Sequence, residues 1–521
     1  MHSKIRVLIP SLGGTLFLAI FLTLSFNSGL PLLADGDTGF HIRVGEFILD
    51  THSVPKHDIF SFLTPPLPWI AHEWLSEVVM ALLHRAFGLT GVVLFFIFLI
   101  SLTFCLLFRV LRTYKGDILA DTILLPLVMV SSYLHFLARP HIFSLLLTVV
   151  WYFLLDAFRR DGRNGYVYLL PPLMLLWVNL HGGFVVGFLL AGVFLAGMGW
   201  EYHFSDGREK ERSGKKTKVL GFVILACILV SLVNPYGYHL LLFPFKLVSK
   251  KYIIDHVDEF LSPDFHRILP FKYLLFLMIT VFAVSPKKLE MTELVLVLLF
   301  SGMALYSYRY IPLYCVIIAP ILSRQAFFLL DRAKGEVAHK WKIRSGRIAD
   351  MDSSVRGHWL PVAAVLLVVF CAGTGKLEYR FDGKIKPVAA VKFLKMENLR
   401  GNMFNNDEFG DYLIYAASPP YKVFIDGRLD MYDTEKVKEY RKVAEVGSGW
   451  ETIIEKYGIA WIFFNADSVL SRFLQEKEEW HLIYADRVAH IFVKKIPENQ
   501  ALINKYRDIK PVIEVGNEKG S

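Results

Sequence analysis

The stretch LLADGDTGFHIRVGEFIL, residues 32–49, begins where the first apolar run of the chain gives out. Within seven positions it places Asp35, Asp37 and His41. A long apolar run followed at once by two carboxylates and an imidazole reads as a membrane span that delivers ionisable groups to the lipid–water boundary. Upstream, Lys4 and Arg6 precede the apolar residues, and no small-residue cleavage pattern follows them. The run is therefore expected to be a retained first span with a cytoplasmic N-terminus, not a removed leader.

The whole chain extends this reading. Of its 521 residues 54% are apolar and only 20% charged, a balance that points to a polytopic membrane protein. Windows long enough to cross about 30 Å of hydrocarbon predict about eleven spans. They fall near 7–27, 89–111, 117–137, 141–158, 166–180, 183–203, 219–234, 270–285, 290–306, 311–330 and 358–375. The net charge of +9 is carried largely by short loops, which argues for the positive-inside pattern and against nucleic acid. Segments assigned to the cytoplasm hold 23 Lys and Arg, whereas those on the other face hold about 9. Cys105, Cys227, Cys315 and Cys371 all sit in apolar runs without paired spacing, implying neither a disulfide framework nor a zinc site.

With an odd number of spans, everything after about residue 376 lies on the outer face. The fold class expected is an α-helical polytopic membrane protein with a C-terminal α/β extracytoplasmic domain. Residues 1–375 form its membrane domain, with a large outer loop at 32–75; residues 376–500 form the α/β domain and 501–521 a polar tail. In the α/β domain KPVAAVKFLKMENL and TEKVKEYRKVAEV read as helices and GNMFNN as a short strand. YKVFIDGR and IAWIFFN have strand length, and WHLIYAD with VAHIFVKK reads as an antiparallel pair. No glycine-rich nucleotide motif is present.

The polar residues of this topology gather on one side. The first outer loop contributes Asp35, Asp37, His41, His72 and Glu73. Later outer ends contribute Arg139 and His141 from ARPH, His181 from WVNLHGG and Arg309 from YSYRYIP. The opposite side shows little beyond Lys and Arg. Each outer residue also has a plainer reading. Asp35-Gly36-Asp37 could be a turn, the arginines could reach lipid headgroups, and the histidines could be packing residues. Together they suit transfer of a sugar from a polyprenyl-phosphate carrier to an acceptor outside the cytoplasm. A surface carboxylate takes the acceptor's proton, and arginines offset the departing phosphate. Asp35, Asp37 and His41 could instead hold a divalent cation such as Mg or Mn for that task.

At the level of motifs, DGDTGFHIRVGEFIL, VPKHDIFSF, WIAHEWLSE, LARPH, WVNLHGGF and KVFIDGRLDMY resemble a bacterial group of membrane proteins of the GT-C glycosyltransferase type. That superfamily includes oligosaccharyltransferases, protein mannosyltransferases and lipid A aminoarabinose transferases. The resemblance implies a multi-pass protein of the bacterial inner membrane with its C-terminal domain periplasmic or extracellular. It also implies a polyprenyl-phosphate sugar donor and a glycan, lipid or protein acceptor. By position it makes Asp37 the base with Asp35 beside it; the clustering on the outer side makes Arg139, Arg309 and His141 the expected receivers of the donor phosphate. His41, His72, Glu73, His181, Asp426 and Arg428 would serve the acceptor or support the site. The oligosaccharyltransferase signature WWD is missing from this chain, which argues against transfer to asparagine. Competing expectations are a transporter of lipid-linked glycans, although no internal repeat is seen, a non-catalytic envelope assembly protein, and an O-antigen-type ligase. That last class leans on a late arginine- and histidine-rich loop, whereas acids dominate here in an early one.

Overall fold

A computed structural model describes residues 9–27, 31–113, 116–161, 164–267, 269–355 and 357–511. Lys4, Arg6, Lys115, Arg163 and Arg356 of the charge pattern, and residues 512–521 of the tail, lie outside the described residues. The chain divides into two compact units, Met1–Pro31 with Thr90–Glu378, and Leu32–Leu89 with Tyr379–Ser521.

The first unit is helical. Each of the eleven apolar segments contains a helix, and among the described residues five helices are long and apolar enough to cross a membrane. These are Trp74–Thr113, Ile118–His135, His141–Asp161, Phe184–Phe204 and Tyr308–Arg332. The first of them is broken at Gly88, whose φ of 63° and ψ of −166° no helical residue adopts. Shorter apolar helices occupy Leu12–Phe26, Gly165–Leu180, Pro270–Val284, Met291–Tyr306 and Trp359–Gly373. The architecture is that of a multi-pass membrane protein.

The helix ends that the charge pattern assigns to the cytoplasm hold more than basic residues. Asp156, Arg159 and Arg160 of the His141–Asp161 helix meet Glu290, Glu293 and Arg324 in one network, buried except at Arg160 and Glu290. Arg159 reaches Glu290 at 2.6 Å, Arg160 reaches Glu293 at 3.0 Å, and Arg324 pairs with Glu293. This corrects the expectation of a merely basic face. The acids are few but paired, which is what makes burial of the arginines tolerable.

The second unit contains a four-stranded sheet, β1 (Asn402–Asn405), β2 (Ile459–Asn465), β3 (Trp480–Ala485) and β4 (Ala489–Lys494), in the order β1-β2-β4-β3. β2 pairs parallel with β1 and antiparallel with β4, and β3 with β4 forms the expected hairpin. Its turn is set by Asp486, whose Oδ1 accepts from the Val488 and Ala489 amides at 2.8 Å. A parallel β1–β2 pair needs a long crossover. Here it carries the helices Asp407–Ala417, Thr434–Ala444 and Trp450–Lys456.

Two expectations fail in this unit. YKVFIDGR is extended but joins no sheet. Val423 forms only an isolated bridge with Ser61, its amide donating to the Phe60 carbonyl at 3.1 Å. The Asn405 side chain takes the place of a ladder, accepting from the Phe424 amide and donating to the Ile425 carbonyl, each at 2.8 Å. The Asp407–Ala417 helix was not foreseen. Its signals were present in Asn406, which caps it by accepting from the Phe409 amide, and in the acids of its first turn.

Candidate active site

In the second unit the 32–49 stretch becomes the helix Asp37–Thr51, which packs along Asp407–Ala417. Glycines make the approach close. A Cβ at Gly36 would stand 2.7 Å from the Asp411 Cβ, and one at Gly39 would stand 2.5 Å from the Tyr415 Cβ. Arg43 then locks the two helices, donating to the carbonyls of Tyr415 (3.1 Å) and Ser418 (3.0 Å) while pairing with Glu46 at 2.6 Å. Glu46 also meets His84 at 3.2 Å, and the far nitrogen of His84 meets the Tyr415 hydroxyl. The His84 contact, with Arg43 beside it, holds Glu46 down at about 2 despite burial.

That packing sets Asp37 against a carboxylic acid that the sequence did not reveal. Asp37, in the first turn of its helix and half-buried, hydrogen-bonds side chain to side chain with the fully buried Asp411. Burial, then the charges of Asp37 and Asp426, push Asp411 well above the usual carboxylate range. Asp411 therefore holds its proton more tightly than an ordinary aspartic acid does. Gly427 closes the arrangement. Its amide donates to Asp411 Oδ1 at 3.0 Å, and a Cβ there would lie 2.6 Å from Asp411 Oδ2 and 3.1 Å from Asp37 Oδ1.

Beneath lie Asp426 and Arg428, 0% and 2% exposed, so neither offers a surface to an acceptor. Arg428 holds Asp426 through Nε at 2.8 Å and Nη2 at 2.7 Å, and reaches Asp58 of the first loop at 2.8 Å. Its guanidinium stacks on Phe60 and Trp69. Burial would raise Asp58, yet Arg428 together with hydrogen bonds from Ser61 and the Phe60 amide brings it below its ordinary value. Tyr432 donates its hydroxyl to Asp426 at 3.0 Å.

Other residues singled out in the first loop assemble around His41. Its Nδ1 faces Glu77 at 3.1 Å and its Nε2 faces Glu73 at 3.5 Å. Among the described residues, His41, Glu73 and Glu77 are the group of metal-type ligands whose donor atoms converge; Asp35 and Asp37 are not part of it. His72 faces the second oxygen of Glu73 at 3.7 Å.

In the first unit, Arg139 and Arg309 come together on one carboxylate. Glu259 receives Arg139 at 2.9 Å and Arg309 at 3.8 Å, and the Arg309 guanidinium lies over Phe260. Arg139 first, and Arg309 after it, hold Glu259 well below the usual range against burial. Two guanidiniums thus converge on one carboxylate. His141 makes a 2.8 Å contact to the His135 carbonyl instead. His181 is a hydrogen-bonded interior residue. Its Nδ1 accepts from the Gly183 amide at 2.9 Å and meets Ser144 at 2.7 Å, and Trp177 donates to that serine. Glu259 was missed because a lone acid in a long loop has no sequence signature.

No protein-family model and no curated protein matches the sequence. Solved structures do match. The oligosaccharyltransferase AglB of Archaeoglobus fulgidus, in complex with an inhibitory peptide and a dolichol-phosphate, aligns with a TM-score of 0.55 over 87% of this chain and 69% of its own, at 11% identity. The same enzyme tethered to an acceptor peptide aligns with a TM-score of 0.54 at 12% identity, with the same coverage. ArnT of Cupriavidus metallidurans in the apo state aligns with a TM-score of 0.51 over 92% of this chain and 97% of its own, at 13% identity. The fold is the GT-C fold. The GT-C likeness spans most of the chain, and at such low identity it concerns architecture and not residues.

Proposed function

We propose that this protein is an inverting glycosyltransferase of the bacterial inner membrane. It moves a sugar from a polyprenyl-phosphate donor to an acceptor on the non-cytoplasmic face. The observation that carries the reading is the Asp37–Asp411 pair, a half-exposed carboxylate backed by a buried acid, in a chain of GT-C fold. Asp37 accepts the acceptor's proton as the acceptor oxygen bonds the anomeric carbon. The bond from that carbon to the phosphate breaks, and polyprenyl phosphate leaves with the electron pair. Arg139 and Arg309, which meet on Glu259 in the first unit, are assigned the binding of polyprenyl phosphate, a ligand class that the dolichol-phosphate bound to AglB represents. Asp35 stands two residues before the base in the chain.

Incubation of the purified protein with polyprenyl-phospho-sugars and candidate glycan, lipid and peptide acceptors tests this. Glycosylated product and free polyprenyl phosphate are expected, and counterflow of intact donor without any covalent product would establish a carrier instead. Arg139→Ala and Arg309→Ala should each weaken binding of polyprenyl phosphate about 10- to 100-fold, the worth of one charged hydrogen bond. Equal affinity in the double variant would remove these arginines from the donor site.

Asp411 makes a separate prediction about pH. An unfolded aspartate ionises near pH 3.9, whereas folded Asp411 keeps its proton to higher pH. Its contribution to stability is full below about pH 4 and is lost as pH rises, by up to about 1.4 kcal/mol per unit. Asp411→Asn keeps a donor toward Asp37 and removes this loss. Thermal unfolding from pH 5 to 8 should show a shallower decline in the variant; an unchanged slope would mean Asp411 is ionised.

A further inference from the structure

Glu73 and Glu77 stand one helical turn apart at the start of Trp74–Thr113, and His41 reaches between them from Asp37–Thr51. A Cβ at Gly45 would collide with the Glu77 carbonyl, so the two helices meet at the level of the cluster. Glu77 is 1% exposed, and its Oε2 has no hydrogen-bond partner among the described residues. A buried carboxylate oxygen left in this way is costly unless a cation or proton completes it. Arg428, whose charge reaches Glu77, is already engaged by Asp58 and Asp426.

We propose that His41, Glu73 and Glu77 bind a divalent transition-metal ion that pins the first-loop helix to the start of the next. One ligand atom from each residue lies within 4.8 Å of the others. Donors around a tetrahedral ion sit about 3.5 Å apart, so closure takes side-chain shifts of about an ångström. Two carboxylates and one imidazole favour manganese or zinc over magnesium or calcium, which prefer all-oxygen sites. Carboxylates and histidines projecting inward from facing helices are how helical bundles build metal sites. His41 lies one turn from Asp37 on the same helix, so the ion would also steady the carboxylate assigned as base.

The site is tested without any sugar donor, which keeps it distinguishable from the transferase reading. Full-length protein stripped with chelator is titrated with Mn(II) or Zn(II). One equivalent should bind and raise the unfolding temperature, and Mg(II) at the same concentration should not. Glu77→Gln should weaken Mn(II) binding at least ten-fold. Should that variant fail to fold, pulsed EPR of the Mn(II)-loaded native chain still decides, because one imidazole nitrogen coupled to the metal is expected. No binding to the stripped protein, a spectrum without nitrogen coupling, or undiminished affinity in Glu77→Gln would each overturn the proposal.

Discussion

Replacing Asp37 by Asn is expected to lower sugar transfer about 10²- to 10⁴-fold, the range a positioned general base supplies. Fold and donor binding should persist. Asparagine keeps the size and the hydrogen-bonding capacity toward Asp411, and the Gly36 and Gly39 approach that seats the helix is untouched. The loss should therefore fall on kcat, with little change in KM for the donor. Turnover at the native rate in this variant would unseat Asp37 as base and move attention to Asp35. The Asp411→Asn variant then separates two kinds of contribution. It leaves Asp37 able to accept a proton, so its effect should be smaller than that of Asp37→Asn and should appear as a shifted pH profile.

Arg428→Met is expected to cost about 3–5 kcal/mol in stability of the second unit, the usual penalty for stranding buried partners of an ion pair. Asp426 and Asp58 would lose their shared cation at 0% and 7% exposure, and the stack on Phe60 and Trp69 would go with it. Thermal unfolding and limited proteolysis of the first loop report the loss. Adding Asp58→Asn and Asp426→Asn should recover a substantial part of it, since the unpaired charges are then gone. If Arg428→Met alone unfolds at the native temperature, the cluster is not what joins loop 58–69 to the segment around Asp426.

The eleven helices and the α/β composition of the second unit were legible because their signals are local. Apolar run length, charged loop ends and the turn at Asp486 are written in neighbouring residues. YKVFIDGR misled for a physical reason. An apolar run of strand length says that a segment is extended and buried, but not who completes its hydrogen bonds. Here Asn405 and Phe60 do so, and no strand does. The site was legible only in part. Asp37, Arg139 and Arg309 stood out as ionisable groups at span ends, whereas Asp411 and Glu259 looked like ordinary surface acids.

By itself, then, the sequence determined a multi-pass helical membrane protein with an α/β tail, because partition into lipid adds up residue by residue along a segment. Only the tertiary structure decided that Asp37 hydrogen-bonds Asp411, that Arg139 and Arg309 converge on Glu259, and that His41 stands between two glutamates. Such pairings join positions that are dozens to hundreds of residues apart. They depend on separations of a few ångströms, which glycine contacts and helix packing set and no local pattern encodes.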